Sequence, residues 1–169
     1  MKGVTNVKAP MDSAVRFIQD PQQKAAITEE VLRALPEWFG IEAAILEYVH
    51  AVPTMAYWAG EVSGRPVGFL ALMRHNAYTF EIYCMGIRPE VHRAGLGSAL
   101  VAACEAHSVN SGAEFLTVKT LDASRPHEGY AKTRAFYLDR GFRPLEVFPT
   151  LWDKDSPCLF MAKALRPPV

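Results

Sequence analysis

The chain has no surplus charge of either sign, no long apolar run and few cysteines, and each lack closes off a class of function. Eighteen basic residues balance eighteen acidic ones over 169 residues, so no chain-wide field draws the protein to nucleic acid or to an anionic membrane. The longest purely apolar stretches, such as 68–73, are far too short to span a bilayer. Segment 1–10 is polar and lacks the apolar core of a secretory signal. Cys84, Cys104 and Cys158 have no paired spacing. They read as reduced thiols in a cytoplasmic protein, with neither a disulfide framework nor a metal site.

What is present is a full core. Half of the residues are hydrophobic, enough for one ordinary domain over 1–169, its core running from about 14 to 165. No linker or repeat divides the chain, and strands alternate with helices. A short strand is expected at 14–19. Asp20 then caps a helix with Pro21 at its first position, and that helix ends before Pro36. A turn at 36–40 leads to an amphipathic helix from Ile41. Segments 54–62 and 66–74 read as a hairpin joined at Ser63-Gly64-Arg65. A buried strand at 80–88, a helix at 95–110, a strand at 114–121 and a helix at 128–140 follow. Gly141 closes that last helix, and strands at 144–148 and 158–163 end the pattern.

The most informative stretch is 81–100. An apolar run carries one acid, Glu81, breaks at Pro89, and passes through Gly95 and Gly97 into a helix. His92, Arg93 and Ala94 at its opening are poor capping acceptors, so the first amides are left for an external anion, such as a pyrophosphate, beside cationic Arg93. A Rossmann turn wants a third glycine where Leu100 stands, and a P-loop wants Lys and Ser or Thr after Gly97. Neither fits.

A third kind of turn does. Residues His92-Arg93-Ala94-Gly95-Leu96-Gly97 resemble the Arg/Gln-x-x-Gly-x-Gly/Ala fingerprint of the GCN5-related N-acetyltransferase (GNAT) superfamily, with His92 where Arg or Gln is usual. Arg134-Ala-Phe-Tyr-Leu-Asp-Arg-Gly-Phe142 is similar to that family's Phe-Tyr-x-x-x-Gly-Phe element, although Tyr130 and Thr133 replace its customary Asn and Ala. The resemblance implies a mixed, mostly antiparallel α/β sheet of about six to seven strands with about four helices. It implies acetyl-CoA as cosubstrate and an acetyl group moved directly to a primary amine, of a small molecule or of a protein N-terminus or lysine. A non-catalytic acyl-CoA-binding module is the alternative outside enzymology, and a homodimer is a possible assembly.

The resemblance also implies roles. Glu81 is the general base, made more basic by an apolar strand, and Tyr137 is the general acid. The Met85 N–H polarises the thioester carbonyl, and Ile87 pairs its backbone with pantetheine. Amides of Arg93, Ala94, Gly95, Leu96, Gly97 and Ser98 hold the pyrophosphate, with His92 contributing backbone. Tyr130, Thr133 and Arg134 share a helical stripe along the cofactor channel. Trp38, Phe39 and Trp152 are candidates for the acceptor site. His75 and His127 read as surface histidines in flanking loops.

Overall fold

The computed structural model describes residues 12–165; segment 1–10 lies outside them. Its strands are β1 (Ser13–Phe17), β2 (Ala56–Val62), β3 (Arg65–Arg74), β4 (Thr79–Ile87), β5 (Phe115–Leu121), β6 (Arg143–Asp153) and β7 (Ser156–Ala164). Its α-helices are α1 (Pro21–Arg33), α2 (Glu42–Ala51), α3 (Leu96–Asn110) and α4 (Glu128–Asp139). The strands form one sheet in the order β1-β2-β3-β4-β5-β7-β6. Only the β4–β5 pair is parallel, because α3 carries the chain across the sheet between them.

Local chemistry explains the boundaries. Asp20 Oδ1 accepts the Gln22 N–H at 3.0 Å, and Pro21 occupies the first helical position, where a missing N–H is no loss. The β2–β3 turn puts Ser63 and Gly64 at φ of 50° and 74°, the left-handed pair that a two-residue hairpin requires. Two apolar layers flank the sheet. Leu72, Phe80, Ile82, Leu100, Leu116 and Phe142 belong to the layer beneath α3 and α4. Val31, Leu32, Ile45, Tyr57, Phe69 and Cys84 belong to the layer beneath α1 and α2. Among the described residues no helix is long and apolar enough to cross a membrane.

Two departures from regularity matter for the site. First, the β4–β5 pairing runs only from Thr79 opposite Phe115 to Ile82 opposite Val118; beyond it the strands part. Second, Ala71 faces Cys84 while Leu72 faces Ile82, so Tyr83 is a bulge. Tyr83 and Cys84 both pack toward α1 and α2, and Met85 returns to the opposite face.

The start of α3 is seated by a close approach. A Cβ on Gly60 of β2 would lie 2.9 Å from Leu96 side-chain atoms, and Leu96 is fully in the core. Gly60→Ala therefore has to push the first turn of α3 off the sheet. We expect a loss of about 1–3 kcal/mol, read as a lower midpoint in thermal or denaturant unfolding.

Candidate functional site

The site is a gap between parting strands. Arg88 N–H donates to Val67 O at 2.8 Å, which makes 67 and 88 a hydrogen-bonded pair of the β3–β4 ladder. Alternation then gives β3 the polar groups of Gly86 and Cys84, opposite Phe69 and Ala71. The N–H and C=O of Met85 and Ile87 point the other way, into the space that β5 has left. That is a strand edge left by β5 and, apart from the Ile87 carbonyl, open to an extended ligand.

At one end of the gap stands the turn before α3. Gly95 is left-handed at φ 82° and no side chain caps the helix. Among the described residues the amides of Arg93, Gly95, Leu96, Gly97 and Ser98 have no acceptor in the protein. A Cβ on Gly95 would meet nothing within 4 Å, so an anion has room to approach. This fits a diphosphate. Helical geometry begins at Leu96, after a turn in which Arg93, at φ 64°, and Gly95 are left-handed.

Other members of the expected set have partners already. The His92 N–H donates to Pro89 O at 3.1 Å and its ring Nε2 to Ile87 O at 2.7 Å. His92 thus holds the turn against β4, and the Ile87 carbonyl is engaged. The Ala94 N–H reaches Val91 O at 3.4 Å. Gly97 is buried, and a Cβ there would lie 3.1 Å from Ile87 Cδ1 and from Phe136; it lets α3, β4 and α4 pack, rather than admitting a ligand. Ser98 Oγ accepts from Arg140 Nη2. The Arg140 guanidinium also lies 3.6 Å from the Phe136 ring centroid, placing a cation beside the open amides. Sequence reading missed it, because nothing but its place at the end of α4 distinguishes it.

The stripe on α4 is turned to the protein's own backbone. Tyr130 Oη donates to Trp38 O at 3.0 Å, Thr133 Oγ1 to Gly129 O at 3.1 Å and Arg134 Nη1 to Leu121 O at 2.7 Å. Burial pushes the Tyr130 phenol up to about 12. His127, the last loop residue before α4, is held on both sides of its ring. Its Nδ1 accepts the Tyr130 N–H at 3.2 Å as the α4 N-cap, and its Nε2 donates to Glu37 O at 3.0 Å. The 36–40 turn is therefore tied to α4, with the Trp38 ring against Gly129 and 6.1 Å from the His92 ring.

At the other end lies the acid. Glu81 pairs with Thr117 across the last stretch of β4–β5 contact and is 4% exposed. It is not an isolated carboxylate in an apolar strand, as the sequence implies. Lys119 Nζ donates to Oε1 at 2.9 Å and Oε2 at 2.8 Å, and His75 Nε2 donates to Oε2 at 2.5 Å. His75 is exposed, as expected, and is also a partner of the acid, held by a β3–β4 turn in which Asn76 Oδ1 accepts the N–H groups of Tyr78 and Thr79. The three polar groups share a cavity of about 410 Å³ with Phe148, Leu151 and Phe160. Trp38, Phe39 and Trp152 are not among its lining residues. Phe39 packs on Tyr48 at 5.8 Å, and Trp152 is 45% exposed on β6.

Tyr137 lies on the opposite face of the sheet from Glu81, buried beneath α3 and α4, with its hydroxyl 4.0 Å from Met85 Sδ. Burial pushes its phenol well above the ordinary value. Among the described residues the gap lies between the two groups, so a ligand contacting both threads between β4 and β5.

The chain is similar to known proteins in sequence and in fold. The sequence model described as the acetyltransferase (GNAT) family matches residues 20–142. No curated protein matches the sequence. Among solved structures, the aminoglycoside 6′-N-acetyltransferase from Enterococcus faecium is 19% identical with a TM-score of 0.70, covering 92% of this chain and 99% of its own. The ribosomal-protein-S18-alanine N-acetyltransferase from Escherichia coli is 12% identical with a TM-score of 0.72, covering 93% and 96%. A GNAT family acetyltransferase from Elizabethkingia anophelis, solved with acetyl-CoA bound, is 14% identical with a TM-score of 0.65, covering 93% and 99%. At these identities the likeness is one of fold.

Proposed function

This chain belongs to the acetyltransferase (GNAT) family, and from that premise we propose that it acetylates the primary amine of a small molecule, with Glu81 as general base and Tyr137 as general acid. The reaction class is the family's own: acetyl-CoA-dependent N-acetyl transfer. The observation that carries the finer reading is the acid-bearing cavity at the mouth of the gap. Its volume of about 410 Å³ is that of a small-ligand pocket, and three of its walls are the apolar side chains Phe148, Leu151 and Phe160.

Acetyl-CoA supplies the activated acyl group. The chain's residues do the rest. Open amides at the start of α3 hold the diphosphate, and the outward-facing polar groups of Met85 take the extended arm, with the Met85 N–H toward the thioester carbonyl. Glu81, held in place by Lys119 and His75, draws a proton from the acceptor nitrogen. His75, whose ring reaches solvent, carries that proton out. Tyr137 returns a proton to the leaving sulfur.

The acceptor's character follows from charge. Glu81 already has a cation, so the pocket offers one shared carboxylate and a largely apolar wall. A monoamine with an aromatic or aliphatic body suits it better than a polycation. Release of free CoA over a panel of monoamines, polyamines, aminoglycosides and peptides tests this. The highest kcat/KM is expected for an apolar monoamine, and a preference for peptides would overturn the small-molecule reading.

Tyr137 has its own signature. A buried phenol with a raised pKa stays protonated beyond the ordinary value of 10, so the acid is in its working form throughout the assay range. The pH–rate profile should show no falling limb from Tyr137 below pH 10. Tyr137→Phe should lower kcat about 10²-fold or more without moving the rising limb. An unchanged kcat assigns the sulfur's proton to another donor.

A further inference from the structure

Any acceptor amine that reaches Glu81 needs the position in front of its carboxylate, and an amine is already there. Val118 is the last β5 residue in register with β4, opposite Ile82. Lys119 follows it, level with the Tyr83 bulge, where the strands have begun to part. From that root Nζ reaches both oxygens of Glu81 at 2.8 and 2.9 Å, inside the cavity and 5.9 Å from the Phe160 ring centroid. Its side chain is 28% exposed, so neither burial nor a backbone anchor confines it.

The other described lysines are placed differently. Lys24 donates to the carbonyls of Pro53 and Met55 beneath α1. Lys132 pairs with Glu128, Lys154 with Asp155 and Lys163 with Glu105, all away from the gap. Among the described residues, Lys119 alone is a primary amine bonded to the acid that the acceptor must use.

We propose that Lys119 is a self-acetylation site, its ε-nitrogen standing in the acceptor's place at the mouth of the gap. This rests on the reading of Glu81 as the base. The ammonium gives one proton to Glu81, which passes it to solvent. The freed nitrogen pair forms a C–N bond to the thioester carbonyl carbon, and the C–S bond breaks with its electrons on the CoA sulfur. A second nitrogen proton ends on that sulfur and the third stays on the new amide. Lysine ammonium and acetyl-CoA thus become acetyl-lysine, CoA thiol and one proton. The product carries no charge, so the modified chain loses the cation beside Glu81, and its acceptor preference changes with it.

The test is incubation of the full chain with acetyl-CoA and no added amine, followed by intact mass and peptide mapping over time. One acetyl group is expected per chain at Lys119, appearing at least about 10²-fold faster than at exposed Lys132 and Lys154, which report spontaneous acetylation. Lys119→Arg should stay unmodified at that position, and Glu81→Gln should slow the mark as much as it slows turnover of a free amine. Lys119 unmodified, or acetylated no faster than Lys132 and Lys154, overturns the proposal, as does an equal rate in Glu81→Gln. Amine turnover measured in parallel separates the two readings. Turnover by a chain whose Lys119 stays unmodified sinks the self-acetylation alone, whereas normal turnover by Glu81→Gln sinks the assignment of the base.

Discussion

Glu81→Gln is expected to lower kcat for amine acetylation about 10²–10⁴-fold, the range of a positioned general base, with acetyl-CoA affinity nearly unchanged. The argument is geometric. The carboxylate is almost fully buried, its two oxygens are fixed by Lys119 and His75, and it opens on the cavity at the mouth of the gap. Glutamine keeps the shape and one acceptor oxygen but cannot take a proton. Removing one partner of a buried ion pair can cost about 3–5 kcal/mol when the survivor is trapped. Here the survivor is Lys119, which can turn its ammonium to water. The unfolding midpoint should therefore stay close to wild type, and the loss should appear in kcat rather than in yield of folded protein. The open amides before α3, where the diphosphate is proposed to bind, are elsewhere, so titration with acetyl-CoA separates binding from chemistry. Normal kcat in a folded Glu81→Gln chain would move the base to another group, His75 being the nearest.

How legible this site is from sequence depends on the distance over which the signal acts. The start of α1 is written in two adjacent residues, Asp20 and Pro21, and the structure repeats it. The turn before α3 is legible for the same reason: glycine where a left-handed residue is needed, and no capping side chain next to it. The succession of seven strands and four helices follows from alternation of short patterns, and their union in one mixed sheet is what the family resemblance implies. The partners of Glu81 are not local. Lys119 lies 38 residues away, and on its own strand it reads as an ordinary solvent-facing lysine. His75 meets Glu81 only because Asn76 folds the intervening turn. Strand β6 runs to Asp153 rather than stopping near Phe148, because a register shift carries its pairing past Pro149, and a bulge leaves no simple period to read. His92 is the instructive miss. Its ring and amide are both engaged inside the turn, a use that the fingerprint position alone does not reveal.

The two glycines of the turn should fail in different ways, which separates cofactor grip from packing. A Cβ at Gly95 meets nothing within 4 Å, so Gly95→Val places its branched side chain in open space at the turn whose amides at Leu96, Gly97 and Ser98 are free. It also forces a branched residue to φ 82°, at about 1–2 kcal/mol, which for a chain of this size lowers the melting temperature by only a few degrees. Its main effect is on the anion. Coenzyme affinity should fall about 10²-fold, or about 2.7 kcal/mol. Gly97→Val meets Ile87 Cδ1 and Phe136 at 3.1 Å even before its methyl groups are added, in a site closed by three elements. It should destabilise by about 1–3 kcal/mol or more, and lose affinity only as far as the turn is dragged with it. Thermal melts with and without CoA read both quantities at once: Gly95→Val melts near wild type and gains little from CoA, while Gly97→Val melts low and still gains. Because the open amides belong to the backbone, no side-chain deletion in the turn can remove them, and obstruction at Gly95 is the direct way to ask whether they hold the diphosphate. A Gly95→Val chain that binds CoA as tightly as wild type would place that diphosphate somewhere else.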